Sequence, residues 1–151
     1  YPEQVSFPAS LWHFDSESLF SADGSLYMIT KHRAIGKGFE WEAGANLYRL
    51  DTDYTDQDNL LTYIDGNRSI TAATGAELSP DMQTLAVISL TALWLFDRPE
   101  SGDEWLSSSS RKIDLDPDVI RQVEAVTWID DQTVLLSNEQ RDLFRVDISD
   151  L

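Results

Sequence analysis

Cysteine is absent from this sequence of 151 residues, and basic residues and long apolar runs are scarce. Without cysteine the chain has no disulfide, no thiolate zinc site and no cysteine nucleophile, and its redox compartment cannot be inferred. No segment approaches the roughly 18 consecutive apolar residues of a membrane-spanning helix, and no signal-like segment opens the chain at Tyr1. We therefore expect a soluble protein or a domain of a longer one.

Charge is strongly one-sided, with 11 Lys and Arg against 27 Asp and Glu and a formal net charge of −16. This balance argues against a nucleic-acid partner and against an anionic membrane surface, because both carry the same sign of charge. A small molecule or a protein remains as the expected ligand. The 42% of apolar residues suffice for one core, so residues 1–151 are expected to form a single domain.

Internal repetition is the clearest pattern in the chain. A phrase of Leu, aromatic, any residue, apolar residue and Asp occurs three times, beginning at Leu47, Leu93 and Leu143. Upstream of each phrase, two apolar β-prone runs flank a polar turn, which predicts a hairpin. The three turns contain Asp23-Gly24, Ser79-Pro80-Asp81 and Asp130-Asp131.

Further strands are predicted at Leu60–Ile64 and Arg111–Leu115, and a short helical turn at Pro117–Arg121. Four strands in each of the first two units, at an interval of 40 to 50 residues, are typical of β-propeller blades. The predicted fold is all-β and propeller-like, with blade one at about 14–65, blade two at about 71–116 and blade three at about 121–151. A β-sandwich is the alternative.

The predicted strand count leaves the ring of blades open. Residues 4–7 form one outer strand too many, and blade three has one strand too few. Closed propellers have about four to eight blades. Either the chain is part of a longer propeller, or two copies form a homodimer of six blades in which residues 4–7 of one copy complete blade three of the other.

Several segments resemble blades of bacterial phytase-like or esterase-like β-propeller proteins, with hairpins similar to TolB-type repeats. The resemblance spans residues 14–148 and is carried by Asp15–Leu19, Thr71–Asp81, Glu124–Val126 and Ser137–Glu139. It implies a six-bladed ring, of which this chain supplies half, and favours a periplasmic or secreted location. In the phytase-like proteins, channel carboxylates are associated with calcium and, in true phytases, with cleavage of phosphate esters.

Aligning the hairpins on their turn aspartates places Glu17, Gly75 and Glu124 at one equivalent position, which we expect to start the first strand of each hairpin. That position lies at one mouth of a propeller channel, and Glu139 reaches the same end of blade three. Clustered carboxylates need a raised pKa or a hard cation such as calcium. Glu17, Glu124 and Glu139 are therefore candidate metal ligands, or they cap loops or pair with Lys31, Arg121 or Arg141.

Residues 31–46 are predicted to form a long loop that presents Phe39 and Trp41. Lys31 and Trp41 are candidate ligand-binding residues, although Lys31 can instead neutralise Glu17, and the aromatics can fold back as a lid. The only histidines, His13 and His32, lack metal-type spacing and are expected to be structural, with a proton shuttle as the alternative.

These patterns favour a non-catalytic propeller module with an acidic channel mouth. A calcium-dependent hydrolase of phosphate or carboxylic esters, with the three glutamates as metal ligands or general bases, is the alternative. A third alternative is that the chain is a fragment of a longer propeller.

Overall fold

A computed structural model describes residues 1–5, 12–33 and 40–149. Within these residues, eleven strands form three antiparallel sheets that follow one another along the chain, which confirms the all-β prediction. Sheet 1 contains β1 (Trp12–Ala22), β2 (Ser25–Arg33), β3 (Trp41–Leu50) and β4 (Leu61–Thr71). Sheet 2 contains β5 (Ala73–Leu78), β6 (Thr84–Ser89), β7 (Ala92–Asp97) and β8 (Ser110–Asp114). Sheet 3 contains β9 (Val123–Asp130), β10 (Thr133–Asn138) and β11 (Leu143–Asp147).

Turn chemistry explains the three hairpins, which all form at the predicted positions. The β1–β2 turn needs positive φ at two residues, and Asp23 at 50° and Gly24 at 81° provide it. Asp and Gly are the residue types that tolerate this conformation. The repeated Leu-aromatic phrase forms the third strand of every sheet.

Two predictions for sheet 1 are wrong. The fourth strand does not end at Ile64 but continues to Thr71, and within it Gly66 pairs with Asn46 and leaves space for the Asn46 side chain. Residues 31–46 are not one long loop, since β2 extends to Arg33 and β3 begins at Trp41. Phe39 lies outside the described residues.

The predicted N-terminal strand at 4–7 is only partly described. Residues 4 and 5 are not in a strand, and residues 6 and 7 lie outside the described residues. Tyr1 instead packs on sheet 1, with its ring 4.9 Å from that of Tyr48.

Sheet 2 lies between two apolar clusters. Leu85, Val87 and Phe96 face the cluster shared with sheet 1, whereas Ala86, Ile88 and their neighbours face the cluster shared with sheet 3. Both faces of this sheet are therefore buried, which explains why β6 and β7 are almost continuously apolar. Sheets 1 and 3 each share one of the two clusters.

The first strands of the three sheets are neighbours, in the order β1, β5, β9. Gly75 permits the close approach of β5 to β9, because a Cβ there would lie 3.2 Å from the Cα of Ala125. Side chains connect the two strands. The Thr74 hydroxyl donates to the Val123 carbonyl, and the Trp128 backbone N–H donates to the Glu77 carboxylate.

The helical segments are short. A 3-10 helix (Trp105–Ser107) buries Trp105 against sheet 1, and α1 (Pro117–Ile120) forms the predicted single turn. The Asp116 carboxylate caps α1 by accepting from the Asp118 backbone N–H. Among the described residues, no helix has the length and apolar character needed to cross a bilayer.

Candidate functional site

The three glutamates of the predicted site come from sheets 1 and 3. Glu17 is the sixth residue of β1, Glu124 the second of β9, and Glu139 follows the last residue of β10. Glu17 was expected to start the first strand of its hairpin, and this expectation is wrong because β1 begins five residues earlier, at Trp12. The backbone N–H of Glu139 donates to the Gln122 carbonyl, which places Glu139 beside the beginning of β9. We call Asp15, Glu17, Glu124 and Glu139 the acidic mouth.

Lys31 supplies the main positive charge at the acidic mouth. Its Nζ lies 2.5 Å from Glu17 Oε1 and 3.8 Å from Asp15 Oδ2. The ion pair expected between Lys31 and Glu17 is therefore present. Asp15 has a second partner, because the Arg33 Nε donates to its carboxylate over 2.7 Å. The Lys31 side chain is only 4% exposed, so its charge serves these carboxylates rather than solvent.

Trp41 lies over these cations from the neighbouring strand. The Lys31 ammonium is 4.8 Å from the centre of the indole ring, and the Arg33 guanidinium is 4.6 Å from it. Cations are attracted to an aromatic face in this geometry. Trp41 is a half-buried strand residue that packs on the ion pairs. This arrangement is closer to the predicted lid than to the predicted role as an exposed binding residue.

Electrostatics link the three glutamates across the sheets. Partial burial raises the pKa of the Glu124 carboxyl, and the negative charges of Glu17 and Glu139 raise it further. Lys31 opposes this effect from its position beside Glu17. The first and third sheets thus contribute like charges to one region, and a single lysine offsets them only in part.

Calcium has no support from the side-chain arrangement. In the described part of the chain, no group of three or more histidine, aspartate or glutamate side chains could hold a metal ion. Glu17 is already engaged by Lys31 at 2.5 Å. Calcium prefers six to eight oxygen ligands, so these carboxylates do not form its site as they stand. Metal binding by the three glutamates stays a prediction.

A second polar site, which the sequence does not predict, lies nearby on sheet 1. The rings of His13 and His32 stack at 3.9 Å with an angle of 10° between their planes. His13 Nε2 is 3.0 Å from a Glu42 carboxylate oxygen. Burial lowers the pKa of His32 to about 4, and the neighbouring His13 lowers it too, so His32 is neutral near pH 7.

Glycines shape the floor of this site. Gly44 has φ of 146°, and a Cβ at that residue would lie 2.3 Å from His32 Nδ1. A Cβ at Gly66 would lie 2.9 Å from Asn46 Oδ1. The resulting cleft has a volume of about 500 Å³, and we call it the histidine pocket. Its lining includes His13, His32, Gly44, Asn46, Tyr63 and Arg68.

Irregular strand pairing creates the pocket. All three strand pairs of sheet 1 shift register at this end of the sheet, near Trp12, between Ile29 and His32, and between Ala43 and Ala45. Bulges of this kind re-aim side chains next to functional sites. The predicted β1–β2 hairpin places His13 and His32 at the same end of the sheet. The two rings face each other only because the register of this hairpin shifts, and no sequence signal predicts those shifts.

No protein-family model and no curated protein significantly matches this chain.

Proposed function

We propose that the chain is a non-catalytic binding module of β-propeller type, whose acidic mouth binds a positively charged group of a ligand or protein partner. Three consecutive antiparallel sheets with neighbouring first strands support the propeller arrangement, since blades pack in this way around a channel. The close approach of β5 and β9 at Gly75 also fits inner strands that surround a narrow centre.

The observation that carries the proposal is the environment of Glu124. Its pKa is raised by burial and by two carboxylates from different parts of the chain. Ionised Glu124 therefore has unfavourable interactions that a bound cation would relieve. Lys31 is too fully engaged with Glu17 and Trp41 to do this alone. The site thus favours an added positive charge over an anion.

Isothermal titration calorimetry with calcium chloride and, separately, with a triarginine peptide tests the proposal. Physiological ionic strength is needed because a chain with net charge −16 attracts any polycation at low salt. We expect saturable binding of at least one of these probes, weakened about fivefold to tenfold in Glu124→Gln. Glu100→Gln is the matched control, since Glu100 follows β7 at the opposite end of sheet 2.

Two results would contradict the proposal. One is that neither probe binds saturably. The other is that the Glu124 and Glu100 variants weaken binding equally, which would indicate general charge attraction. Calcium-dependent phosphatase or esterase activity that Glu124→Gln abolishes would replace the binding role with the hydrolase alternative.

We further propose that a second copy completes the ring. Sheet 3 has three strands where the other sheets have four, and no described residue pairs with the outer edge of β11. Leu143, the first residue of β11, is 66% exposed. An unpaired edge with an exposed apolar side chain is suited to strand addition by a partner chain.

Light scattering tests this assembly. We expect a molar mass of twice 17.1 kDa for the unmodified chain and of one chain for Leu143→Asp. Leu60→Asp is the matched control, because Leu60 is equally exposed but lies before β4 in a loop. A monodisperse monomer of the unmodified chain at tens of micromolar would refute the homodimer.

A further inference from the structure

The histidine pocket contains a buried ring nitrogen that lacks a hydrogen-bond partner. His32 is 9% exposed, and its Nε2 is buried without a hydrogen-bond partner among the described residues. Leaving such a group unsatisfied costs about 1–3 kcal/mol, so a buried polar atom without a partner calls for an explanation. Because His32 is neutral, its ring carries one N–H, and that N–H can be placed on Nε2.

Arg68, an exposed residue that lines the same cleft, provides a permanent positive charge. It lies in the segment of β4 where the register shifts opposite Gly44. Within the described ranges, no carboxylate forms an ion pair with it, although the chain has far more acidic than basic residues. The Glu42 carboxylate at this end of sheet 1 is hydrogen-bonded to His13 instead.

Two neutral donors complete the set. The Asn46 side-chain amide reaches only the Tyr48 hydroxyl, over a long 3.4 Å. The Tyr63 hydroxyl lies close to the bare backbone of Gly66 and has no hydrogen bond to a side chain or backbone group in residues 1–5, 12–33 or 40–149. The glycines at 44 and 66 leave the space that these polar groups occupy.

We propose that the histidine pocket binds the oxyanion group of a small molecule, a carboxylate or a phosphate, through Arg68 with His32, Asn46 and Tyr63. A guanidinium surrounded by neutral donors matches the charge and the acceptor-only oxygens of such a group. A metal ion does not fit here, because the two imidazole rings stack in parallel planes and no metal-binding group is found among the described residues. This inference is independent of the acidic mouth.

Nuclear magnetic resonance of protein labelled with ¹⁵N-histidine tests the proposal. Sodium phosphate and sodium acetate are titrated separately at pH 7, with ionic strength held constant by sodium chloride. We expect a saturable shift of the His32 imidazole nitrogens with at least one anion. Binding of phosphate alone identifies a phosphate site, and binding of acetate identifies a carboxylate site.

Arg68→Gln is expected to weaken this binding about tenfold, the usual effect of losing a charged hydrogen bond. Arg145→Gln removes the same charge from an exposed position on sheet 3 and should bind like the unmodified protein. Tyr63→Phe, which removes only a hydroxyl, should weaken binding by a smaller factor. The proposal is overturned if neither anion shifts His32 saturably, or if the Arg68 and Arg145 variants have equal affinities.

Discussion

Sheets 1 and 2 have the same number and order of strands, but they use them differently. The strands of sheet 2 have five or six residues and mostly regular pairing. Each strand of sheet 1 is three to six residues longer than its counterpart. The additional length lies at the irregular end and includes His13, Lys31, Trp41 and Arg68. Sheet 2 thus contributes buried apolar side chains to the interior. The additional length of sheet 1, which we call the extension, contributes polar and charged side chains.

The largest expected effect is the loss of an interior side chain from sheet 2. Phe96 is fully buried in β7, so Phe96→Ala should lower the free energy of unfolding by about 3–5 kcal/mol in urea denaturation. Trp41→Ala in the extension of sheet 1 removes contacts with two cations and should cost less than about 2 kcal/mol. Equal losses in the two variants would remove the contrast between the sheets.

The next effect concerns backbone geometry in the extension. Gly44→Ala places a Cβ against the His32 ring and imposes an unfavourable φ, so we expect a loss of about 2–4 kcal/mol. Gly24→Ala is the control, because its φ of 81° is also unfavourable but no atom lies within 4 Å of its added Cβ. It should cost only about 1 kcal/mol. Similar losses at both positions would show that His32 is not fixed over Gly44.

The stacked histidines should make the extension sensitive to acid. The pKa of His32 is lowered in the folded state, so its contribution to stability is present above its ordinary pKa of 6.5 and is lost as the pH falls towards 4. The slope from this one group is at most about 1.4 kcal/mol per pH unit. Imidazole chemical shifts measured against pH should give a His32 pKa near 4, and an ordinary value would contradict the stacked, buried arrangement.

The smallest effect is expected where sheet 1 meets the 3-10 helix. Burial raises the pKa of Asp65, whose Oδ2 accepts from the Ser107 backbone N–H while Oδ1 has no partner among the described residues. Because the pKa of Asp65 is raised in the folded state, its ionisation lowers the stability of the fold as the pH rises above the ordinary pKa of 3.8. Asp65→Asn should therefore raise stability at pH 7 by less than about 1 kcal/mol.

Urea denaturation of Asp65→Asn at pH 4 and pH 7 measures this difference. Asp53→Asn, in the exposed loop before β4, provides the matched loss of charge and should change little at either pH. A lower stability of the Asp65 variant at pH 7 would show that the ionised carboxylate is favourable.

Local sequence signals predict the hairpins well and the extension poorly. Asp23-Gly24 determines its turn through backbone preference, and a preference of this kind is visible in the residues themselves. The register shifts around His32 depend on contacts between four strands, so the sequence wrongly predicts a loop from Lys31 to Asn46. Equivalent positions in two hairpins predict that Glu17 and Glu124 lie close together, whereas the histidine pocket belongs to one sheet and has no counterpart in the other hairpins.

The alternating burial of β6 restricts how this protein can change in evolution. Successive residues of β6 enter different clusters, with Leu85 and Val87 on one side and Ala86 and Ile88 on the other. Inserting or deleting a single residue within the strand would exchange every following side chain between two interiors of different shape. Length variation should therefore be confined to segments such as 51–60, most of whose residues are exposed.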